Sequence, residues 1–327
     1  METKKGNNFV MPSFSNLYKA LLPIATISLL SCAQGMNSFS SPHLTHEFGG
    51  WHREKDRHFR ICRICGEIEE GEHEDSVCEI CAEFKALGLG FSEGGDEAHS
   101  DFCKEANVWF PKMGKEHGFL YDYSPDFGKL NEETLSEYDL VMFINNLPYD
   151  KAQREAFEEY MENGGAWMGF HVCAFTQDAE SWPWYHENFL GSGNYRTNTW
   201  NPTAEILKVE NHNHPCTKFL PDSFMSAPNE WYGWEHDLRE NEDIEILLSL
   251  DDTMEDSSFP IGDKEGEIWY EGYWPVAWTN KNYHMIYMNM GHNLMYYNTY
   301  EKTSRTFSSE EQNEFVIEGM FEIVNAK

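Results

Sequence analysis

The chain has 327 residues, of which 40% are hydrophobic and 15% aromatic, enough to bury a large core and to exclude a globally disordered protein. Its formal charge of −32, from 56 acids against 24 bases with no Lys/Arg cluster, excludes a nucleic-acid partner. The 11 Trp, 16 Tyr and 22 Phe fit either an aromatic core or rings that stack on flat-faced polar ligands such as sugars.

Residues 1–32 carry Lys4, Lys5 and Lys19, an apolar run from Ala20 to Leu30, and then Ser31-Cys32. A basic start, a short apolar stretch and small residues at its end describe a signal peptide, too short to span a bilayer as an ordinary helix. Leu29-Leu30-Ser31-Cys32 resembles a bacterial lipobox, which implies lipidation of Cys32 after cleavage. The expectation is an exported protein, facing the periplasm or cell exterior and held to the membrane by a lipid anchor only. Residues 33–60 are polar, without hydrophobic periodicity, and read as a tether.

Residues 61–83 contain Cys62-Arg63-Ile64-Cys65 and Cys78-Glu79-Ile80-Cys81. Two such knuckles can bring four thiolates around one zinc ion, as in a zinc ribbon, and Gly66 suits the turn after the first. In an oxidising compartment the same thiols can instead form disulfides. Either arrangement is structural, since four ligands leave no position for substrate. Cys103, Cys173 and Cys216 have no metal-ligand spacing and read as buried small hydrophobes.

From Phe84 onward the pattern alternates strand and helix. Phe84–Phe91 reads as a strand entering a glycine-rich loop (Glu93-Gly94-Gly95), and Ala98–His117 as a helix stopped by Gly118. Phe119–Tyr123 is a second strand, Asn131–Leu135 a capped helical turn, and the apolar run Asp139–Asn145 a strand covered on both faces. A helix from Asp150 to Asn163, closed by Gly164-Gly165, leads to the buried strand Ala166–His171. This alternation predicts an α/β domain over 84–327, with a mainly parallel sheet and ligands beyond the carboxyl ends of its strands. Ser92, Glu93, Asn145 and His171 fall at those ends.

The chain then becomes dense in aromatic and polar residues: Ser181-Trp182-Pro183-Trp184-Tyr185, Asn213-His214-Pro215, Asn229-Glu230-Trp231-Tyr232, Pro275-Val276-Ala277-Trp278 and a last strand ending in Gly291-His292. With Gly164, Gly165, Gly169 and His171, this ordered set resembles the ThuA-like (trehalose-utilisation) family from Phe84 to Lys327. The cysteine segment lies outside the resemblance. The family implies a flavodoxin-like three-layer sandwich similar to class I glutamine amidotransferases. There a cysteine nucleophile occupies the strand-to-helix turn where this chain has His171, so thioester chemistry is not expected; Cys173 is off the turn. Many relatives carry an acid where this chain has Asn229.

The resemblance also implies carbohydrate catabolism on a di- or oligosaccharide or its keto derivative, of hydrolase, lyase or isomerase type. Expected catalytic residues are His171, His214, Glu230 and His292, acting as acid and base or as ligands of a divalent metal. Trp182, Trp184, Tyr185, Trp231 and Tyr232 are expected to form stacking walls, with Asn145 and His99 also binding substrate. No nucleotide cofactor is expected, and a non-catalytic sugar-binding lipoprotein is the alternative. Asp178 and Glu180 read as a solvated acidic loop, and His186 and His236 as surface groups.

Overall fold

The computed structural model describes residues 45–54, 56–73, 77–198, 202–251, 274–293, 295–296, 299, 301–302 and 305–326. The expected signal peptide, Cys32 and the expected tether as far as residue 44 lie outside the described residues.

Five strands form a parallel half-sheet: β4 (Lys85–Leu89), β5 (Leu120–Ser124), β6 (Leu140–Ile144), β7 (Ala166–Phe170) and β14 (His284–Met288), in the order β5-β4-β6-β7-β14. The sheet continues antiparallel from β14 through β13 (Pro275–Asn280), β12 (Ile244–Leu250), β9 (Ile206–Val209) and β10 (Ser223–Met225).

Side-chain alternation makes this a sandwich. On β6, Leu140, Met142 and Ile144 face one core with Phe102, Phe110, Phe315 and Met320, from helices α1 (Glu97–His117) and α4 (Glu310–Asn325). Val141 and Phe143 face the other core with Phe157 and Met161 of α3 (Lys151–Glu162). Every residue of β6 and β7 is buried, which is why both read as continuous apolar runs. Asp96 caps α1 by accepting from Ala98 N–H, and Gly118 ends it at φ 94°, a left-handed conformation that favours glycine. Together these elements form the expected flavodoxin-like α/β sandwich.

The segment before β4 departs from the sequence reading. Part of the expected tether forms β1 (His52–Arg53) and β2 (Arg57–Ile61), which pair with β3 (Ile68–Glu72) in a small antiparallel sheet. These strands are short and mostly polar, so their backbone ladder has no hydropathy signature.

Candidate active site

Where the parallel strands end, the backbone takes two conformations unusual for non-glycine residues: Asn145 has φ 65° and His171 φ 47°. A hydrogen-bond network holds them. Tyr287 O–H donates to His171 C=O at 3.0 Å, and Asn145 accepts from Val172 N–H at 3.0 Å while donating to Gly291 C=O at 2.6 Å. Gly291 N–H donates to Asn229 Oδ1 at 3.0 Å, and Asn229 Nδ2 donates to Ala227 C=O at 3.1 Å. An ionised aspartate at 229 has no N–H for Ala227, so the amide is the side chain that serves both bonds. Gly291 has φ 144°, and a Cβ there would lie 3.0 Å from His171 Cβ, so this close approach requires glycine.

His171 is fully buried, its ring stacked on Tyr232 with centroids 4.1 Å apart. Nδ1 lies 2.8 Å from Asn289 Oδ1, an acceptor, so Nδ1–H donates in that bond. Nε2 faces Glu230 Oε2 at 3.4 Å, an ion-pair distance, without a hydrogen bond of good geometry. His292 Nε2 stands 3.8 Å from the same oxygen, and the His99 ring lies 5.2 Å from that of His171 and 4.8 Å from that of His292. Asn198 Nδ2 donates to the other Glu230 oxygen.

The charges follow from this packing. Burial pushes the Glu230 carboxyl up, but its contact with His171, the charges of His292 and His171, and the Asn198 bond together hold it below the usual carboxylate range. Glu230 is therefore an anion near neutral pH, which suits a base or ligand rather than a resting general acid. Burial lowers His292, with Glu230 opposing, and lowers His99 well below the ordinary histidine value, helped by His171 and His292. A neutral imidazole is the form that binds a metal.

Donor atoms of His99, Glu230 and His292 all lie within 4.8 Å of one another. The Nε2 atoms of His99 and His171 are buried without hydrogen-bond partners, which water-exposed histidines avoid. Two imidazoles and a carboxylate fit a divalent transition metal such as zinc. Beside His99 opens a pocket of about 190 Å³, lined by Gly94, Gly95, Asp96, Ser100, Asn145 and Val172 among others.

The structure thus brings together His171, Glu230, His292, His99, Asn145 and Tyr232, but not the remaining residues expected here. His214 pairs with Cys216 at 2.9 Å, and the acids acting on it are Glu245 and Glu322 rather than Glu230. Trp182 and Tyr185 stack on each other and pack around Phe157 of α3, with Trp182 donating to Glu158 and Tyr185 to Cys173 C=O. Trp184 packs on Phe189 and donates to Glu162, while Trp231 is fully buried and donates to Thr203 C=O. Trp182, Tyr185 and Trp231 are core rings and Trp184 packs half-buried against the core, because the aromatic-rich stretch covers the sheet face. Cys173 is also fully buried, with burial raising its thiol well above the ordinary range. Asp178 and Glu180 are exposed, whereas His186, expected at the surface, is buried.

Sequence reasoning missed Asn289, Tyr287 and Asn198. Asn289 had a signal, a lone amide between Met288 and Met290 in an apolar strand end. Tyr287 and Asn198 had none.

The cysteines do not converge as one four-thiolate site. Cys62 and Cys65 group with His46, and Cys78 and Cys81 with His58 and His73. The knuckle spacing is real, but the pairing of β2 with β3 delivers His58 and His73 to the second pair, and the bridge of Phe48 with Cys62 brings His46 to the first. Backbone N–H groups of Cys65 and Ile64 donate to the Cys62 sulfur, outweighing desolvation and holding its thiol down at about 6.

The fold and site define an α/β sandwich whose parallel strands present a buried histidine–glutamate cluster at their carboxyl ends. The sequence model of the ThuA family, described as trehalose utilisation, matches residues 90–307, and the chain belongs to that family. A ThuA-like protein of known structure from Bacteroides uniformis is 37% identical, with 78% of this chain and 96% of that one covered and a TM-score of 0.64. A second, from Parabacteroides merdae, is 15% identical over 74% of this chain and 90% of that one, with a TM-score of 0.53, and shows the shared fold. No curated protein matches the chain.

Proposed function

We propose that this chain is an exported enzyme of carbohydrate catabolism that acts on a di- or oligosaccharide or its keto derivative. The observation that carries this reading is the buried His171 Nε2, opposite an ionised Glu230 with His99 and His292 alongside. With Nδ1–H committed to Asn289, Nε2 is the atom that takes a proton from a sugar carbon or hydroxyl. Tyr232 covers the imidazole face and keeps bulk water from it. His99, Glu230 and His292 would hold a divalent metal, which when bound polarises a hydroxyl or carbonyl oxygen of the sugar. The pocket of about 190 Å³ lies below the roughly 300 Å³ at which ligand pockets usually begin, which favours entry of a single sugar ring.

The leader and Cys32 support export and lipid anchoring, and the acidic composition disfavours a nucleic-acid partner. The test is turnover of a panel of di- and oligosaccharides and their 3-keto forms, with and without added divalent metal. Turnover lost in His171→Ala and Glu230→Gln, with the fold intact, supports the reading. Tight binding without turnover would instead define a sugar-binding lipoprotein.

A further inference from the structure

The histidines and cysteines before β4 are not used by the site above. We infer that they hold a structural zinc ion on His58, His73, Cys78 and Cys81, in which Cys62 and Cys65 take no part. Donor atoms of these four residues lie within 4.8 Å of one another. Cys78 Sγ is 3.3 Å from His58 Nδ1 and 3.5 Å from Cys81 Sγ, and Cys81 Sγ is 3.7 Å from His73 Nε2. The edges of a zinc tetrahedron, worked from Zn–N and Zn–S bond lengths, run from about 3.3 Å between nitrogens to about 3.8 Å between sulfurs. The two sulfur–nitrogen separations straddle the mixed edge of about 3.6 Å, and the sulfur pair lies about 0.3 Å inside its own edge.

The local sequence builds the set. β2 carries His58 and β3 leads into His73, and the register places His58 opposite Gly71. A Cβ at 71 would lie 2.7 Å from His58 Nε2, so glycine there lets the imidazole cross the strand toward the cysteines. Cys81 N–H and Ala82 N–H both donate to Cys78 C=O, closing the turn that aims the two sulfurs the same way. His58 and Cys81 are buried, and the two imidazoles lie nearly parallel with centroids 5.4 Å apart. Two nitrogens and two sulfurs complete a tetrahedron without an open position, the composition of a structural zinc site.

The location agrees with a clamp rather than a catalytic centre. Arg53 of β1 donates to His117 C=O at the last turn of α1, and Glu83 N–H donates to Gly118 C=O. The other end of this 21-residue helix carries His99, about 27 Å from His117 at 1.5 Å per residue. The zinc therefore fastens the small sheet against the end of α1 remote from the sugar site, and the inference stands independently of the proposed activity.

The test counts zinc released by a mercurial thiol reagent from the full chain bearing Cys62→Ser and Cys65→Ser. The expectation is one thiol-held zinc per chain in this variant, lost on adding His73→Ala, with far-UV circular dichroism checking the fold. X-ray absorption on the retained zinc, which needs no histidine variant, is expected to show two sulfur and two nitrogen neighbours. Loss of thiol-held zinc from the Cys62/Cys65 variant would overturn the inference in favour of four-cysteine ligation. A Cys78–Cys81 disulfide in the isolated protein, or four sulfur neighbours around the zinc, would overturn it as well.

Discussion

Replacing Asn289 with leucine removes the acceptor of the His171 Nδ1 proton and leaves the space nearly filled. Asn289 Oδ1 receives that proton at 2.8 Å, while Nε2 faces the Glu230 carboxylate at 3.4 Å. Without the amide, a proton on Nδ1 has no partner, whereas a proton on Nε2 keeps the Glu230 carboxylate it faces in the parent. Leaving the buried Nδ1–H unsatisfied costs about 1–3 kcal/mol, so the tautomer ratio swings toward Nε2–H by roughly 5- to 150-fold. The lone pair that accepts the substrate proton is lost to the same extent. Asn289→Leu is therefore expected to lower kcat by that factor with little change in KM, and Asn289→Asp, which keeps an acceptor, to restore it. Nitrogen NMR of the chelator-treated protein reads the tautomer directly, with Nδ1–H expected in the parent chain and Nε2–H in the leucine variant. A parent His171 protonated on Nε2, or an Asn289→Leu protein with undiminished kcat, would refute this reasoning.

Gly291→Ala places a Cβ 3.0 Å from His171 Cβ and within 3.2 Å of the Phe102 ring, at φ 144°. It should lower stability by on the order of 1–3 kcal/mol and reduce turnover by displacing His171, and an unchanged denaturation midpoint would count against the tight fit. Cys173→Ala should leave turnover unchanged, because burial keeps that thiol protonated; lost activity with an intact fold would restore the thiol as a candidate nucleophile. Acid should destabilise the protein from pH 6.5 downward. Burial lowers His99 well below 6.5 and His186 to about 3, so unfolded chains bind protons that the folded protein refuses. That contribution is full above pH 6.5 and is lost as pH falls toward the folded values. Glu230, lowered from 4.5, adds a second loss below that pH. The urea midpoint should fall between pH 7 and 5, and fall less in His186→Gln; a flat profile would contradict both assignments.

The parallel half of the sheet was legible because β6 and β7, buried on both faces, write themselves as unbroken apolar runs between glycine stops and helix caps. Their carboxyl ends locate His171 and Asn145, and the ordered motifs add Glu230 and His292. Periodicity does not say which aromatic rings line a pocket and which cover a sheet. Trp182, Trp184 and Tyr185 look alike to either use, and only packing against Phe157 assigns them to the core. His214 sits in a loop whose path depends on β9 and β12, beyond what local sequence determines. The cysteine spacing marked candidate metal ligands but concealed the histidines, since His58 reaches Cys78 through the pairing of short polar strands. Asn289 is legible only as a break in an apolar strand and Tyr287 not at all, and what they do for His171 is a fact of three dimensions.

The most direct test of the central claim is turnover of the saccharide panel, including 3-keto disaccharides, by the parent chain and by His171→Ala and Glu230→Gln. The account predicts measurable turnover in the parent and its loss in both folded variants. Full activity in both would contradict the assignment of the buried His171–Glu230 pair as the reacting centre.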